Sequence, residues 1–342
     1  MARQLVSIVI PVLNEAANLR ALVSRLTPVL DGLDVVWELV FIDDGSTDQT
    51  LALLKALNAS DARIKAVSLS RNFGKEVALA AGLRYARGDA AIMIDADLQH
   101  PPELMSQFIA RWRDGYQVVY GQRIDRDTDG PARRLVSLAY YKLFNALVKT
   151  DIPEGAGDFR LLDRKAIDAM NRIGETSRFN KGLFSWIGFK SVGVPYTVAE
   201  RADGGGSRWN VRRLMHFALD GLTSFSTLPL RVSTLLGLAV SIFAFIYAVM
   251  IVLETLLFGI SVPGFPSIMI SVMFFAGVQL IFLGIIGEYL GRVYEEVKAR
   301  PLFLVAEEIG LASEAVRPRN GRDLPLAAGA DGIEQRVLRE PQ

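Results

Sequence analysis

The chain contains no cysteine, which excludes disulfides, zinc–thiolate sites and a thiol nucleophile together. Only two histidines occur, His100 and His216, too few and too scattered for a histidine-based metal site or a catalytic triad. Neither sign of charge is in excess: 38 Lys and Arg stand against 37 Asp and Glu, net +1. The electrostatic footprint of a general nucleic-acid binder is therefore missing. No secretory leader is expected at the start, because Leu5 to Val12 is short, has almost no basic flank and lacks a small-residue cleavage site. What the chain does have is apolar residues, 51% of the total, with a mean hydropathy of +0.27, and they are unevenly spread. Its 342 residues leave room for one catalytic domain and something more.

Up to about residue 125 the pattern alternates strand and helix, which implies a largely parallel sheet. Leu5 to Ile10 reads as a strand stopped by Pro11, and Asn14 as a cap for a helix carrying Leu19, Leu22, Val23 and Leu26 at helical spacing. A second strand, about Val35 to Ile42, runs into Asp43-Asp44-Gly45-Ser46. A third, about Ile64 to Leu69, leads to Ser70-Arg71-Asn72-Phe73-Gly74-Lys75-Glu76. Each polar cluster follows a strand and precedes a helix, so all should share one edge of the sheet, where open α/β sheets hold ligands.

The most informative cluster follows the fourth strand, in Ile92-Met93-Ile94-Asp95-Ala96-Asp97-Leu98-Gln99-His100-Pro101-Pro102-Glu103. Residues two apart on an extended chain point the same way, so Asp95, Asp97 and Gln99 can converge. All three present oxygen, the donor that Mg2+ and Mn2+ prefer. Pro101-Pro102-Glu103 suits the first turn of a helix. A plain turn stabilised by Asp is the competing reading. Downstream, Arg123 and Arg126, then Arg133 and Arg134, surround a polar loop before a helical stretch, Ala132 to Val148. Arginine's planar fork suits phosphate, although Asp125, Asp127 and Asp129 would also balance a merely solvated basic face.

The segments SIVIPVLNE, FIDDGSTDQT, LSRNFGKEVAL and MIDADLQHPPE together resemble the family-2 inverting glycosyltransferases of GT-A fold. YGQRIDR, GAGDFRLLDR and FNKGLFSWIGFK, in that order and before two apolar segments, narrow the resemblance. They are similar to the polyprenyl-phosphate glycosyltransferases, the group of dolichol-phosphate mannose synthase and the bacterial undecaprenyl-phosphate glucosyl and aminoarabinose transferases. The resemblance covers roughly residues 5 to 301. It implies transfer of one sugar, by default glucose from a UDP-linked donor, with inversion, to polyprenyl (undecaprenyl) phosphate. It also implies homotetrameric assembly.

On this resemblance Asp95, Asp97 and Gln99 hold Mg2+ or Mn2+ against the donor diphosphate. Pro11, Asn14, Glu15, Asp43, Asp44 and Lys75 serve the nucleotide sugar, with turn and cap duty the competing reading for Asp43 and Asp44 and helix-dipole compensation that for Glu15. Arg123, and Arg133 with Ser137, clamp the acceptor phosphate, with Arg134, Arg201 and Arg208 as further candidates flanking it or closing over the diphosphate. Where the family usually has Lys, this chain has Arg208. Asp158, in Gly157-Asp158-Phe159-Arg160, stands where other inverting enzymes often place a base. A phosphate monoester is already ionised at neutral pH, so Asp158 is expected to orient donor or acceptor, with base catalysis an option and an internal ion pair with Arg160 or Arg164 the competing reading. Asp97, Asp158 and Arg123 make up the expected catalytic set.

Val232 to Leu253 and Phe265 to Ile286 contain no charged residue. Each is about 22 residues, or roughly 33 Å as a helix, enough to cross a hydrocarbon core. Residues 259–264 join them without Lys or Arg, while Arg231, Arg292, Lys298 and Arg300 flank the outer ends. The positive-inside rule then puts both termini and the catalytic domain in the cytoplasm, on the inner (plasma) membrane. The expected plan is an α/β GT-A catalytic domain at 1–207 with a mixed, mostly parallel sheet. An amphipathic juxtamembrane helix at 208–230, a transmembrane hairpin at 231–290 and a cytoplasmic tail at 291–342, with a short strand-like or docking piece at Leu302 to Val305 and a largely disordered end, would follow. Two other classes fit parts of the chain. A processive polysaccharide synthase would need a Q-x-x-R-W motif, whereas Gln107 to Trp112 has one residue too many and falls early. A non-catalytic sugar-nucleotide binder would not need the Asp95, Asp97 and Gln99 set together with Arg123.

Overall fold

The computed structural model describes residues 3–97, 99–124, 153, 155–176, 178–197, 228–258 and 264–311. Arg133, Arg134, Ser137, Arg201 and Arg208, the expected juxtamembrane helix up to residue 227 and the end of the tail lie outside the described residues. The chain divides into two units, one of residues 1–134, 152–206 and 301–342, the other of 135–151 and 207–300.

The first unit is built on one eight-stranded sheet. Its strands are β1 (Leu5–Val12), β2 (Val36–Asp43), β3 (Ile64–Leu69), β4 (Ala90–Met93), β5 (Val118–Arg123), β6 (Ala156–Asp163), β7 (Ser191–Tyr196) and β8 (Val305–Ile309). Their order across the sheet is β7-β5-β6-β4-β1-β2-β3-β8. The pairs β1–β2, β1–β4, β2–β3 and β5–β7 are parallel. β6 lies antiparallel between β4 and β5, and β8 antiparallel on β3. The expected mixed, mostly parallel α/β sheet is therefore present. β1, β2 and β4 are buried almost throughout, as apolar runs covered on both faces should be.

The helices are α1 (Leu19–Asp31), α2 (Thr50–Ser60), α3 (Lys75–Tyr85), α4 (Met105–Arg113), α5 (Arg164–Arg172) and α6 (Asn180–Trp186). In α1 the buried residues Leu19, Leu22, Leu26 and Leu30 form one apolar stripe at helical spacing. Pro102–Leu104 form a 3-10 turn that leads into α4, so the Pro-Pro-Glu segment does open a helix.

Two local expectations are corrected. β1 does not stop at Pro11 but continues to Val12, opposite Asp43. Val9 O accepts from Ile94 N on the β4 side, and Val12 O from Asp44 N on the β2 side. Strand alternation thus turns the Pro11 nitrogen toward β4, beyond its last paired residue, Met93, where no ladder bond is lost. Asn14 does not cap a helix, since α1 starts at Leu19. Asn14 instead adopts a left-handed conformation, φ 56°, of the kind Asn tolerates better than most residues.

The second unit contributes α7 (Leu228–Phe258) and α8 (Phe265–Val297). Among the described residues one stretch, Ser271–Val297, is long and apolar enough to cross a membrane, and Val232–Tyr247 is a shorter apolar helix. Leu235, Phe243, Phe245, Leu280 and Leu283 are each more than 60% exposed, which is unusual for a surface facing water. α8 runs past residue 290, the end of the expected hairpin, to Val297. The chain then rejoins the first unit's sheet as β8.

Candidate active site

Loops at the carboxyl ends of β1 to β4 meet along one sheet edge, as the strand–helix alternation predicts. Their mutual fit depends on Gly45. At φ +75° a side chain is strained, and a Cβ there would lie 2.5 Å from Arg71 C and 2.7 Å from Asn72 N. Glycine is thus needed for the turn after β2 to approach the loop after β3.

Asp43 and Asp44 hold that approach in place. Asp43 Oδ1 accepts from Ser46 N at 3.0 Å, and its Oδ2 from Ser68 Oγ at 2.9 Å. Asp44 accepts from Phe73 N at 2.7 Å and Gly74 N at 2.9 Å. Burial raises the Asp44 pKa, with the two backbone N–H groups acting against it. Both carboxylates are buried, so turn-holding is what they do in this structure. Asn14 completes the arrangement: its Oδ1 accepts from Thr47 N at 2.8 Å, and its N donates to Ser46 Oγ at 2.8 Å. Glu15 accepts from Asn18 Nδ2 at 2.7 Å, and its N donates to Thr50 Oγ1 at 3.0 Å.

The charged centre lies one strand over. β4 and β6 run antiparallel with Met93 opposite Arg160; two residues on, that register brings Asp95 opposite Asp158. Lys75, the first residue of α3, joins them. Its Nζ is 2.7 Å from Asp95 Oδ1, 2.9 Å from Asp95 Oδ2 and 2.9 Å from Asp158 Oδ2. Burial would lower the Lys75 pKa, but Asp158 and Asp95 outweigh it and raise the value above normal. For Asp158 burial pulls upward, and the charges of Lys181 and Lys75, the Lys75 hydrogen bond and the Arg160 charge together hold it at about 2. Asp158 Oδ1 is buried without a hydrogen-bond partner among the described residues.

Asp97 is exposed and Gln99 half-buried, and Asp97 Oδ1 accepts from Gln99 N at 3.1 Å. Among the described residues no group of three or more His, Cys, Asp and Glu side chains forms a metal cluster. The donor chemistry still fits a hard divalent cation: Asp95, Asp97 and Gln99 offer oxygen at one strand end, and the Asp158 oxygen beside them lacks a partner. Arg123 ends β5, and its N donates to Gly155 O at 3.1 Å. It therefore sits at the end of β5 that pairs with the start of β6.

Further residues surround this centre, and of them only Arg160 was expected beside Asp158. The His100 ring stacks on Phe159 with centroids 4.9 Å apart, and its Nδ1 is buried without a partner among the described residues. Burial lowers its pKa against the pull of Asp95 and Asp97, so it is neutral at pH 7. Arg160 is buried behind Asp158, donates to Gly157 O and lies 3.9 Å over the Phe184 ring. Asn180 N donates to Glu76 Oε2 at 3.0 Å, and Asn180 Nδ2 to Glu76 O at 2.9 Å, tying α6 to the start of α3. The FNKG segment was visible, but nothing in it indicated that Lys181 would act on Asp158.

Comparison with known proteins places this site in context. The model of "Glycosyl transferase family 2" matches residues 7–170. An uncharacterized glycosyltransferase of Synechocystis sp. is 48% identical over 305 residues, covering 89% of this chain and 96% of that protein. The SfII prophage-derived bactoprenol glucosyl transferase of Shigella flexneri is 42% identical over 300 residues, covering 88% and 97% respectively. A prophage bactoprenol glucosyl transferase homolog of Escherichia coli is 42% identical over 300 residues, covering 88% and 98%. Glucosyl-3-phosphoglycerate synthase from Mycobacterium tuberculosis, solved with Mn2+, UDP and phosphoglyceric acid, superposes at a TM-score of 0.44. It is 21% identical, over 64% of this chain and 76% of that one.

Proposed function

This chain belongs to glycosyl transferase family 2, and from that premise we propose that it transfers one glucosyl unit, with inversion, from a UDP-linked donor to polyprenyl phosphate. The products are polyprenyl-phosphate-glucose and UDP, formed at the cytoplasmic membrane face. The observation that carries the choice of acceptor is the state of Asp158. A carboxylate held at about pKa 2 is a poor proton acceptor at neutral pH. A sugar hydroxyl must lose its proton to react, whereas a phosphate monoester is already ionised. The site is therefore suited to an acceptor that needs placing and charge balance, not deprotonation. Relatives named bactoprenol glucosyl transferases at 42% identity support both the lipid and the sugar.

The resemblance suggests the roles, and the geometry around Asp43, Asp44, Lys75, Asp95 and Asp158 supports them. The loop of Pro11, Asn14 and Glu15 and the turn that Asp43 and Asp44 hold take the nucleoside. Asp95, Asp97 and Gln99 would hold Mg2+ or Mn2+, which when bound supplies Lewis-acid stabilisation of the departing diphosphate. Lys75 adds positive charge beside it, and Asp158 orients the reacting groups. Arg123, Arg133, Ser137, Arg134, Arg201 and Arg208 take the acceptor phosphate.

Two membrane crossings are supported by parity. The chain leaves the catalytic sheet after β7 and returns to it as β8, with α7 and α8 between. A segment that starts and ends in one compartment crosses an even number of times, and α8 carries a span of sufficient length. The deciding experiment is a panel of radiolabelled nucleotide sugars with undecaprenyl phosphate, with and without Mg2+ or Mn2+. Cation-dependent formation of glucosyl lipid from UDP-glucose is expected. Labelled lipid from another sugar alone would overturn the donor assignment, and polymer instead of a monoglucosyl lipid would overturn the reaction.

A further inference from the structure

We propose that Lys75 is the resident cation of the donor-free site: it holds Asp95 and Asp158 in the place a divalent metal would neutralise, and it leaves Asp95 only when a nucleoside diphosphate arrives, so that metal and nucleotide load together. This rests on the reading of Asp95 and Asp97 as cation ligands and goes beyond it, since that reading says nothing about order of binding.

Four observations lead there. The Nζ group lies 2.7 and 2.9 Å from the two oxygens of Asp95 and 2.9 Å from Asp158 Oδ2, so the ammonium sits against both carboxylates at once. A metal ion reaching Asp95 must therefore displace Lys75 or bind beside it against like-charge repulsion. Lys75 also opens α3, the positive end of a helix dipole, where a cation is disfavoured; local helix energetics do not explain a lysine there, and the two carboxylates do. Finally, the Lys75 side chain is 44% exposed, so its flexible stem has room to swing from carboxylate to phosphate. Its backbone stays fixed while it does so, because the preceding Gly74 N donates to Asp44 Oδ2 at 2.9 Å.

Once the diphosphate is present, Lys75 exchanges Asp95 for it and keeps its contact with Asp158 Oδ2. The anionic oxygens would take the N–H groups that Asp95 held, and Asp95, with Asp97 and Gln99, would then be free to hold the cation, which supplies charge stabilisation for the diphosphate. Before that, Asp95 and Asp158 are not left as adjacent, unneutralised carboxylates.

The test is Mn2+ binding to the full-length protein in detergent, read from loss of the free-ion electron paramagnetic resonance signal, with and without UDP. In the native protein UDP should tighten Mn2+ binding by about tenfold or more, a usual size for site–site coupling. Lys75→Met should raise nucleotide-free Mn2+ affinity by about tenfold and cut the UDP effect to about threefold or less, whereas Lys75→Arg should keep the native pattern. The proposal is overturned if Lys75→Met leaves nucleotide-free affinity unchanged or lowers it. It is equally overturned, with no variant needed, if the native protein binds Mn2+ as tightly without UDP as with it. Asp97→Asn separates this from the underlying reading: native-like Mn2+ binding in that variant would show the ligand set itself to be misplaced, and the inference would go with it.

Discussion

Replacing Asp158 with Asn tests both the electrostatics of the site and its chemistry. In the folded chain the Asp158 carboxyl is held at about 2 against an ordinary 3.8, and its side chain is only 14% exposed. At 1.36 kcal/mol per pH unit, that difference corresponds to about 2 kcal/mol of folding stability. The folded value lies below the unfolded one, so this stability is fully present above about pH 4 and is lost as pH falls toward 2. Asp158→Asn should therefore cost on the order of 2 kcal/mol at pH 7, with Lys75 and Lys181 each losing a neutralising partner. Chemical denaturation in detergent, followed at pH 7 and pH 5, should give the same penalty at both, because Asp158 is ionised throughout. Turnover should fall in the variant without a change in the shape of the pH–rate profile between pH 5 and 8. An acid limb in that range that disappears in Asp158→Asn would refute the reasoning, because it would identify Asp158 as a working base with a pKa near neutrality.

Other outcomes follow from the same geometry. Gly45→Ala places a methyl group 2.5 Å from the Arg71 carbonyl carbon at a positive φ. It should destabilise the fold by about 2–4 kcal/mol and weaken donor binding, read by urea unfolding and by KM for the nucleotide sugar. Asp97→Asn should abolish metal-dependent turnover in a protein that still folds in the membrane, and undiminished turnover would remove Asp97 from the metal site. Arg133→Ala should raise KM for the lipid phosphate while leaving nucleotide binding within about twofold, the signature of a lost acceptor contact. Because the chain has no cysteine, Ser261→Cys gives a single labelling site between the apolar helices. An impermeant maleimide should label it from outside intact cells, and labelling only after lysis would overturn the two-span topology.

Much of this protein was legible in the linear sequence, because its signals are local. The apolar runs of β1 to β4 end in polar turns, and the stripe of α1 repeats at helical spacing, so strands, helices and the edge where their polar loops meet all followed from residues close together in the chain. The same holds for the paired carboxylates Asp95 and Asp97, which share one strand end whatever surrounds them. Two uncharged stretches of helical length were legible by composition alone and form the apolar parts of α7 and α8, and α8 holds a stretch long and apolar enough to cross a membrane.

What only the tertiary structure decided are the contacts between distant segments. No periodicity showed β6 inserting antiparallel between β4 and β5, yet that register faces Asp158 with Asp95 and puts Lys75 between them. A short strand-like piece could be read at Leu302 to Val305, but its place further on, at Val305–Ile309, and its pairing with β3, with Tyr85 donating to Glu308 and Lys55 paired to Glu307, could not. Nor could the sequence tell whether Asp43 and Asp44 point outward to a ligand or inward to backbone N–H groups. That depends on how closely two loops approach, which here is set by the room left at Gly45. Propensity and pattern act over a few residues, whereas charge pairing and pKa depend on distances of a few ångströms across the fold, and those exist only once the sheet has assembled.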